Sequence, residues 1–110
     1  MATPDPTLDE QYLQTINEQK NYLTSLQEAF NRHCDEITAE TQNLLAIIPE
    51  TDTESRDRII EEQKNKLSEA LAQLKTEIEK SSNTSRIKLE EINLRREEIK
   101  LKEMEKLMTI

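Results

Sequence analysis

Residues 44–53 read LLAIIPETDT, and this short segment separates two long amphipathic stretches of the chain. Pro49 disfavours the helical conformation at the residue before it, so the first helix is expected to end there. The segment from Pro49 to Thr53 then forms a turn, and either Thr51 or Thr53 is expected to cap the second helix. Short connections of this kind are typical of two antiparallel helices. We therefore predict an all-α protein, built as a long antiparallel helical hairpin of the coiled-coil type.

The first helix is predicted over residues 7–48, after a flexible N-terminal tail at residues 1–6. Thr7 and Glu10 have the spacing of a capping box, in which each side chain binds the other residue's backbone amide. Apolar residues then recur every seven positions, with further seam residues between them. Such a helix would be about 60 Å long, so we expect a rod. The predicted seam residues of this helix are Ile16, Leu23, Leu26, Phe30, Ile37 and Leu44.

The second helix is predicted over residues 54–110, with Glu54 in its first turn. Residues 81–85 read SSNTS, and their weak helix propensity leaves two alternatives open. The helix is either continuous through this segment or broken there, so that a third helix begins near Ser85. The predicted seam of this stretch includes Lys64 among its apolar residues. The apolar seam residues are Ile60, Leu67, Leu71, Leu74 and Ile78.

Centring the turn on Asp52 predicts which residues of the two helices face each other. A heptad shift would leave Lys64 without an acidic neighbour, and a mispaired charge at a seam is costly. We therefore favour the register centred on Asp52. The alternative is that the same seams pair between chains, in an open rod. The expected pairs include Glu40 with Lys64, Phe30 with Leu74 and Asp9 with Arg95.

The last part of the chain carries a second apolar repeat, again spaced by seven residues. A helix that is apolar on two faces is expected to be buried on both. Residues 97–110 also extend beyond the predicted hairpin pairing, so we expect them to dock onto a protein partner or a second copy of the chain. The alternative is a frayed tail exposed to solvent. The predicted partner interface comprises Ile87, Leu94, Leu101, Met104 and Met108.

Composition narrows the class of protein. The net charge is −8 and the chain contains no glycine, which excludes glycine-rich phosphate loops. Nucleic acid is a disfavoured partner, because the bases of residues 86–106 are interleaved with glutamates.

The single cysteine indicates a reducing compartment, and we identify no signal peptide and no apolar run that could span a membrane. We expect a cytoplasmic or other intracellular protein, including one that is built into a virion.

No group of residues suggests catalysis. His33 and Cys34 are adjacent, so they diverge by about 100° on a helix and cannot converge on a metal ion. We expect His33 to pack in the seam beside Leu71. We predict no enzyme activity, cofactor, metal site or small-molecule substrate. The leading hypothesis is a structural or adaptor subunit of a larger assembly, such as a virion or a secretion apparatus. The alternatives are a small chaperone or regulator that holds a partner's amphipathic helix, and a protein associated with nucleic acid.

Overall fold

The computed structural model describes residues 7–108, and it confirms an all-α helical hairpin. Helix α1 runs over Leu8–Ala46 and helix α2 over Thr53–Met108, with a short turn between them. Helix α2 is continuous through residues 81–85, so the alternative of a third helix is not observed. The predicted tail at residues 1–6 and the last two residues of the predicted docking segment lie outside the described residues.

The first turn of α1 contains the predicted capping box. The amide of Glu10 donates to the hydroxyl oxygen of Thr7 at 3.1 Å, and the amide of Thr7 donates to the Glu10 carboxylate at 3.2 Å. Two backbone donors that have no partner inside the helix are thereby satisfied. This prediction from the sequence is confirmed.

Helix α2 is capped by a residue other than the two expected threonines. The Asp52 carboxylate accepts a hydrogen bond from the amide of Ser55 at 3.2 Å. Asp52 directly precedes the first helical residue, which is the position where a short acceptor side chain reaches the amide three residues on. Hydrogen bonds from the Ser55 side chain and backbone hold the pKa of Asp52 below its usual value. Thr51 and Thr53 therefore do not provide the cap.

The described residues divide into two compact units, and the turn unit comprises Leu23–Ile78. Here the side-chain amide of Gln63 donates to the Thr41 hydroxyl at 3.1 Å, and Lys66 forms an ion pair of 3.0 Å with Glu40. Both contacts join α1 to α2 in antiparallel order. The observed lysine partner of Glu40 lies two residues beyond Lys64, the partner expected from the sequence.

Arg56 closes the C-terminal end of α1 in the turn unit. Its guanidinium donates to the carbonyl oxygens of Leu45 at 3.1 Å and of Ile48 at 3.2 Å. The last turn of α1 has no basic residue of its own. The carbonyls at a helix end have no partner inside the helix and carry a partial negative charge. Arg56 of α2 therefore supplies the cation that the last turn of α1 lacks.

The terminal unit comprises Met1–Tyr22 and Glu79–Ile110. In its described part, Arg96 forms an ion pair with Asp9 and lies over the ring of Tyr12, 5.0 Å from the ring centroid. Arg96 is the immediate neighbour of Arg95, which the sequence predicted as the partner of Asp9. The guanidinium thus combines an ion pair with a cation–π contact across the two helices.

The packed face of each helix repeats every eleven residues, whereas the sequence pattern predicts a repeat of seven. Eleven residues complete almost three turns of an α-helix, and a seven-residue repeat drifts by about 20° per heptad on a straight helix. On α1 and the turn that follows it, the buried or half-buried rows include Leu23, Cys34 and Leu45, and Leu26, Ile37 and Ile48. On α2, they include Ile59, Ala70, Ser81 and Ile92, and Gln63, Leu74, Ser85 and Arg96.

This period explains where the predicted seam residues lie. Ile37 is buried at 3% exposure. Six others are half-buried: Leu23, Leu26, Phe30, Leu44, Leu67 and Leu74. Four are exposed, because they follow the seven-residue rows that rotate away from the packed face: Ile16, Ile60, Leu71 and Ile78. The same drift exposes Lys64 and His33, whereas their respective neighbours Gln63 and Cys34 face inward.

Candidate interaction surface

The second half of α2 presents a row of exposed apolar side chains. Leu94 is 58% exposed and Leu101 is 59% exposed, although both lie inside a continuous helix. All five residues of the predicted partner interface are exposed in the structure, and Ile99 and Leu107 are exposed with them. We call the row with seven-residue spacing the apolar stripe. It comprises Ile87, Leu94, Leu101 and Met108.

The apolar stripe lies on the side of α2 that faces away from α1 in the terminal unit. Ile92 is 6% exposed and marks the face that packs inside the chain. Residues two positions apart differ by about 200° around a helix, so Leu94 points almost opposite to Ile92. The stripe is therefore left uncovered by the fold that buries Ile92.

The two apolar rows on this half of α2 have different periods. Ser81 and Ile92 follow the eleven-residue period of the packed face. The stripe keeps a strict seven-residue period, which is the spacing that a supercoiled neighbouring helix requires. The packing of α1 on α2 therefore does not explain the spacing of the stripe.

Glutamates flank the stripe on both sides between Ile87 and Leu101. On a helix surface, the residues three and four positions on are the nearest neighbours of a side chain. For Ile87 these neighbours are Glu90 and Glu91, and for Leu94 they are Glu97 and Glu98. All four carboxylates are exposed. One of them, Glu90, forms an ion pair of 3.5 Å with Arg86 of the preceding turn.

The other residues that could take part in catalysis or ligand binding do not form a site together. His33 is exposed and lies 3.9 Å from the Glu36 carboxylate of its own helix. An open groove of about 580 Å³ beside the first turn of α1 is lined by charges of both signs, which selects no single class of ligand. Over residues 7–108, no cluster of three histidine, cysteine or acidic side chains could hold a metal ion.

Residues 7–108 contain no helix suited to span a membrane. Neither α1 nor α2 combines the length and the apolar content needed to cross a bilayer. The apolar stripe occupies one row of a helix that also carries exposed charged rows, such as Glu91 and Glu98. It is therefore a surface for contact along one side of α2.

Two contacts of the interface between α1 and α2 were missed by sequence reasoning. Arg56 and Gln63 are polar, so the search for an apolar seam passed over both of them. Gln63 lies eleven residues before Leu74, so an eleven-residue period would have placed it on the packed face.

Comparison of the chain with protein-family models, with curated proteins and with solved structures yields no match.

Proposed function

We propose that this protein is a non-enzymatic adaptor or structural subunit, which assembles into a larger complex through the second half of α2. The observation that supports it is the apolar stripe, which has the spacing of a coiled-coil seam and is exposed in the isolated chain. An intracellular assembly, such as a virion or a secretion apparatus, is the setting in which such a subunit would act.

The energetic argument concerns what remains uncovered. A fully buried leucine contributes about 1.5–3 kcal/mol, so covering the exposed part of Leu94 or Leu101 would contribute about 1–2 kcal/mol each. Among the described residues, Ile37 and Ile92 are the only apolar residues that are buried. A chain with so small an apolar core gains much of its stability from a partner that covers the stripe.

The proposal is tested by the native mass of the complex that the full chain forms in its source cell. The complex isolated from that cell with the wild-type chain should have a mass well above the 12.9 kDa of the chain itself, measured by size exclusion with light scattering. A variant with Leu94→Ser and Leu101→Ser should lose that excess mass. Leu13→Ser is the matched control, because Leu13 is 61% exposed but lies on α1. The proposal would be contradicted if the wild-type chain were recovered from the cell as a monomer, or if the double variant were recovered in a complex of the same mass as the wild type.

A second candidate function is a small chaperone or regulator that holds a partner's amphipathic helix for a short time. It is favoured by the polar character of the packed faces, since Gln63 and Ser85 are buried between the helices of their respective units. Polar contacts of this kind hold helices together weakly and would let the chain adapt to different partners. Fast release of the partner, measured as a short complex lifetime, would favour this role over that of a permanent subunit.

A further inference from the structure

We infer that the occupant of the apolar stripe is a basic amphipathic helix of a different protein, one whose own apolar row is flanked by lysine or arginine. The inference rests on the proposed function and adds the chemistry of the partner. Two features of the stripe lead to it, namely its period and the charges beside it.

The period identifies the occupant as a helix. Leu94 and Leu101 are separated by seven residues, and this spacing keeps a row aligned with a partner helix that coils around it. The row within the chain that packs on α1 uses eleven residues instead. A flat or irregular partner surface would place no demand on a strict seven-residue period.

The charges identify the occupant as basic. Glu90, Glu91, Glu97 and Glu98 stand beside Ile87 and Leu94 on the helix surface, and all four are exposed. A helix seated on the stripe would bring its own flanking residues close to these carboxylates. Lysine or arginine there would form ion pairs, whereas acidic residues would be repelled.

The same charges argue against a second copy of this chain. If two stripes met in parallel, Glu90 and Glu97 would each face the identical residue of the other chain at a core position. If they met antiparallel, Glu91 and Glu98 would face glutamates across the interface instead. Like charges placed opposite each other weaken a pairing. An anionic membrane surface is disfavoured for the same reason, since carboxylates line the stripe on both sides.

The inference is tested with designed helical peptides of about four heptads, each with leucine at every seventh residue. One peptide carries lysine three and four residues after each leucine, a second carries glutamate there, and a third is the lysine peptide with serine in place of leucine. Binding of each to the full chain is measured by calorimetry at two salt concentrations. We expect the lysine peptide to bind, more weakly at high salt, and the other two to bind far less.

Matched variants separate the stripe from the overall negative charge. Glu97→Gln with Glu98→Gln removes two charges beside the stripe, and Glu61→Gln with Glu62→Gln removes two exposed charges elsewhere on α2. The first variant should bind the lysine peptide about three- to tenfold more weakly, as expected for two surface ion pairs. The second should bind it as the wild type does.

Three results would overturn the inference. They are equal binding of the lysine and glutamate peptides, equal weakening by the two glutamine variants, and a dimer of the chain in sedimentation that Leu94→Ser abolishes. Each of these would leave the adaptor role standing, because that role requires only that Leu94 and Leu101 are covered in an assembly. Failure of the adaptor role itself would appear as an unchanged complex mass in the Leu94 and Leu101 double variant.

Discussion

Replacing Ile92 with alanine should destabilise the terminal unit much more than replacing Leu94 with alanine, although the two residues lie two positions apart on α2. Ile92 is 6% exposed and Leu94 is 58% exposed, so the same chemical change falls on opposite faces of one helix. Both substitutions remove three carbons, and both introduce the residue with the highest helix propensity. Isoleucine and leucine differ in helix propensity by only a few tenths of a kcal/mol, so the difference between the two variants measures mainly burial.

The magnitudes follow from the buried fractions. At about 0.8 kcal/mol for each buried methylene, Ile92→Ala should cost about 2–3 kcal/mol, with any unfilled cavity adding to that cost. Leu94→Ala should cost less than about 1 kcal/mol, because more than half of the side chain is already in water. The gap between the two variants should therefore be about 1–2 kcal/mol or more.

Urea unfolding followed by helical circular dichroism provides the measurement, with the two variants and the wild type compared at one protein concentration. The midpoint for Ile92→Ala should fall clearly below that for Leu94→Ala. Binding of the lysine peptide should show the reverse order, with Leu94→Ala weakened and Ile92→Ala unchanged below its unfolding transition. Equal unfolding midpoints, or a larger loss of stability for Leu94→Ala, would refute the assignment of the packed face.

Three further predictions concern the ends of the helices. Arg56→Ala should lower the free energy of unfolding in urea by about 1–3 kcal/mol, because two carbonyls at the end of α1 lose a charged donor. The control is Arg58→Ala at an exposed position, which should change the free energy of unfolding by less than about 0.5 kcal/mol. Equal effects of the two substitutions would contradict the role given to Arg56. Asp52 has a pKa that is lowered in the folded chain, so its contribution is present above about pH 4 and is lost as the pH falls through the lowered value. Wild type should therefore lose more stability than Asp52→Asn between pH 5 and pH 2, and parallel pH profiles would argue against the cap. Thr7→Ala should cost about 1 kcal/mol of helix stability, seen as increased hydrogen exchange in the first turn of α1, and unchanged exchange there would exclude a stabilising capping box.

The capping box and the turn could be predicted from the sequence because they depend on local chemistry. Thr7 and Glu10 specify a capping box by their spacing, and Pro49 prevents the first helix from continuing. The cap of α2 was assigned to a threonine because both candidates have hydroxyl acceptors. The aspartate between them lies at the exact position before the helix and carries the stronger acceptor.

The packed face of α2 was harder to identify, because its apolar residues lie on more than one side. Ile59 and Ile60 are adjacent, and nothing local distinguishes the half-buried one from the exposed one. The choice depends on whether the packed face repeats every seven or every eleven residues, and two adjacent isoleucines do not decide between these periods. Gln63 could not be assigned to the packed face from the sequence either, since only its hydrogen bond to Thr41 explains why an amide side chain is buried there.

The apolar stripe was found from the sequence because its residues keep one spacing over three repeats. Its exposure follows from the position of Ile92 on the other face of the same helix. In the sequence, the charges beside it are seen only as glutamates interleaved with the bases of residues 86–106. Their significance depends on the structure, which places two glutamates beside Ile87 and two beside Leu94 on an uncovered surface.

The most direct measurement is the reactivity of a thiol placed on the stripe. In a chain with Cys34→Ser, Leu94→Cys is labelled with a maleimide, first in the purified chain and then in the native complex. Our account predicts rapid labelling in the purified chain and labelling slowed severalfold in the complex, with Leu13→Cys in the same background labelled equally in both. Equal labelling of Leu94→Cys in the two samples would contradict the conclusion that another protein covers this face of α2.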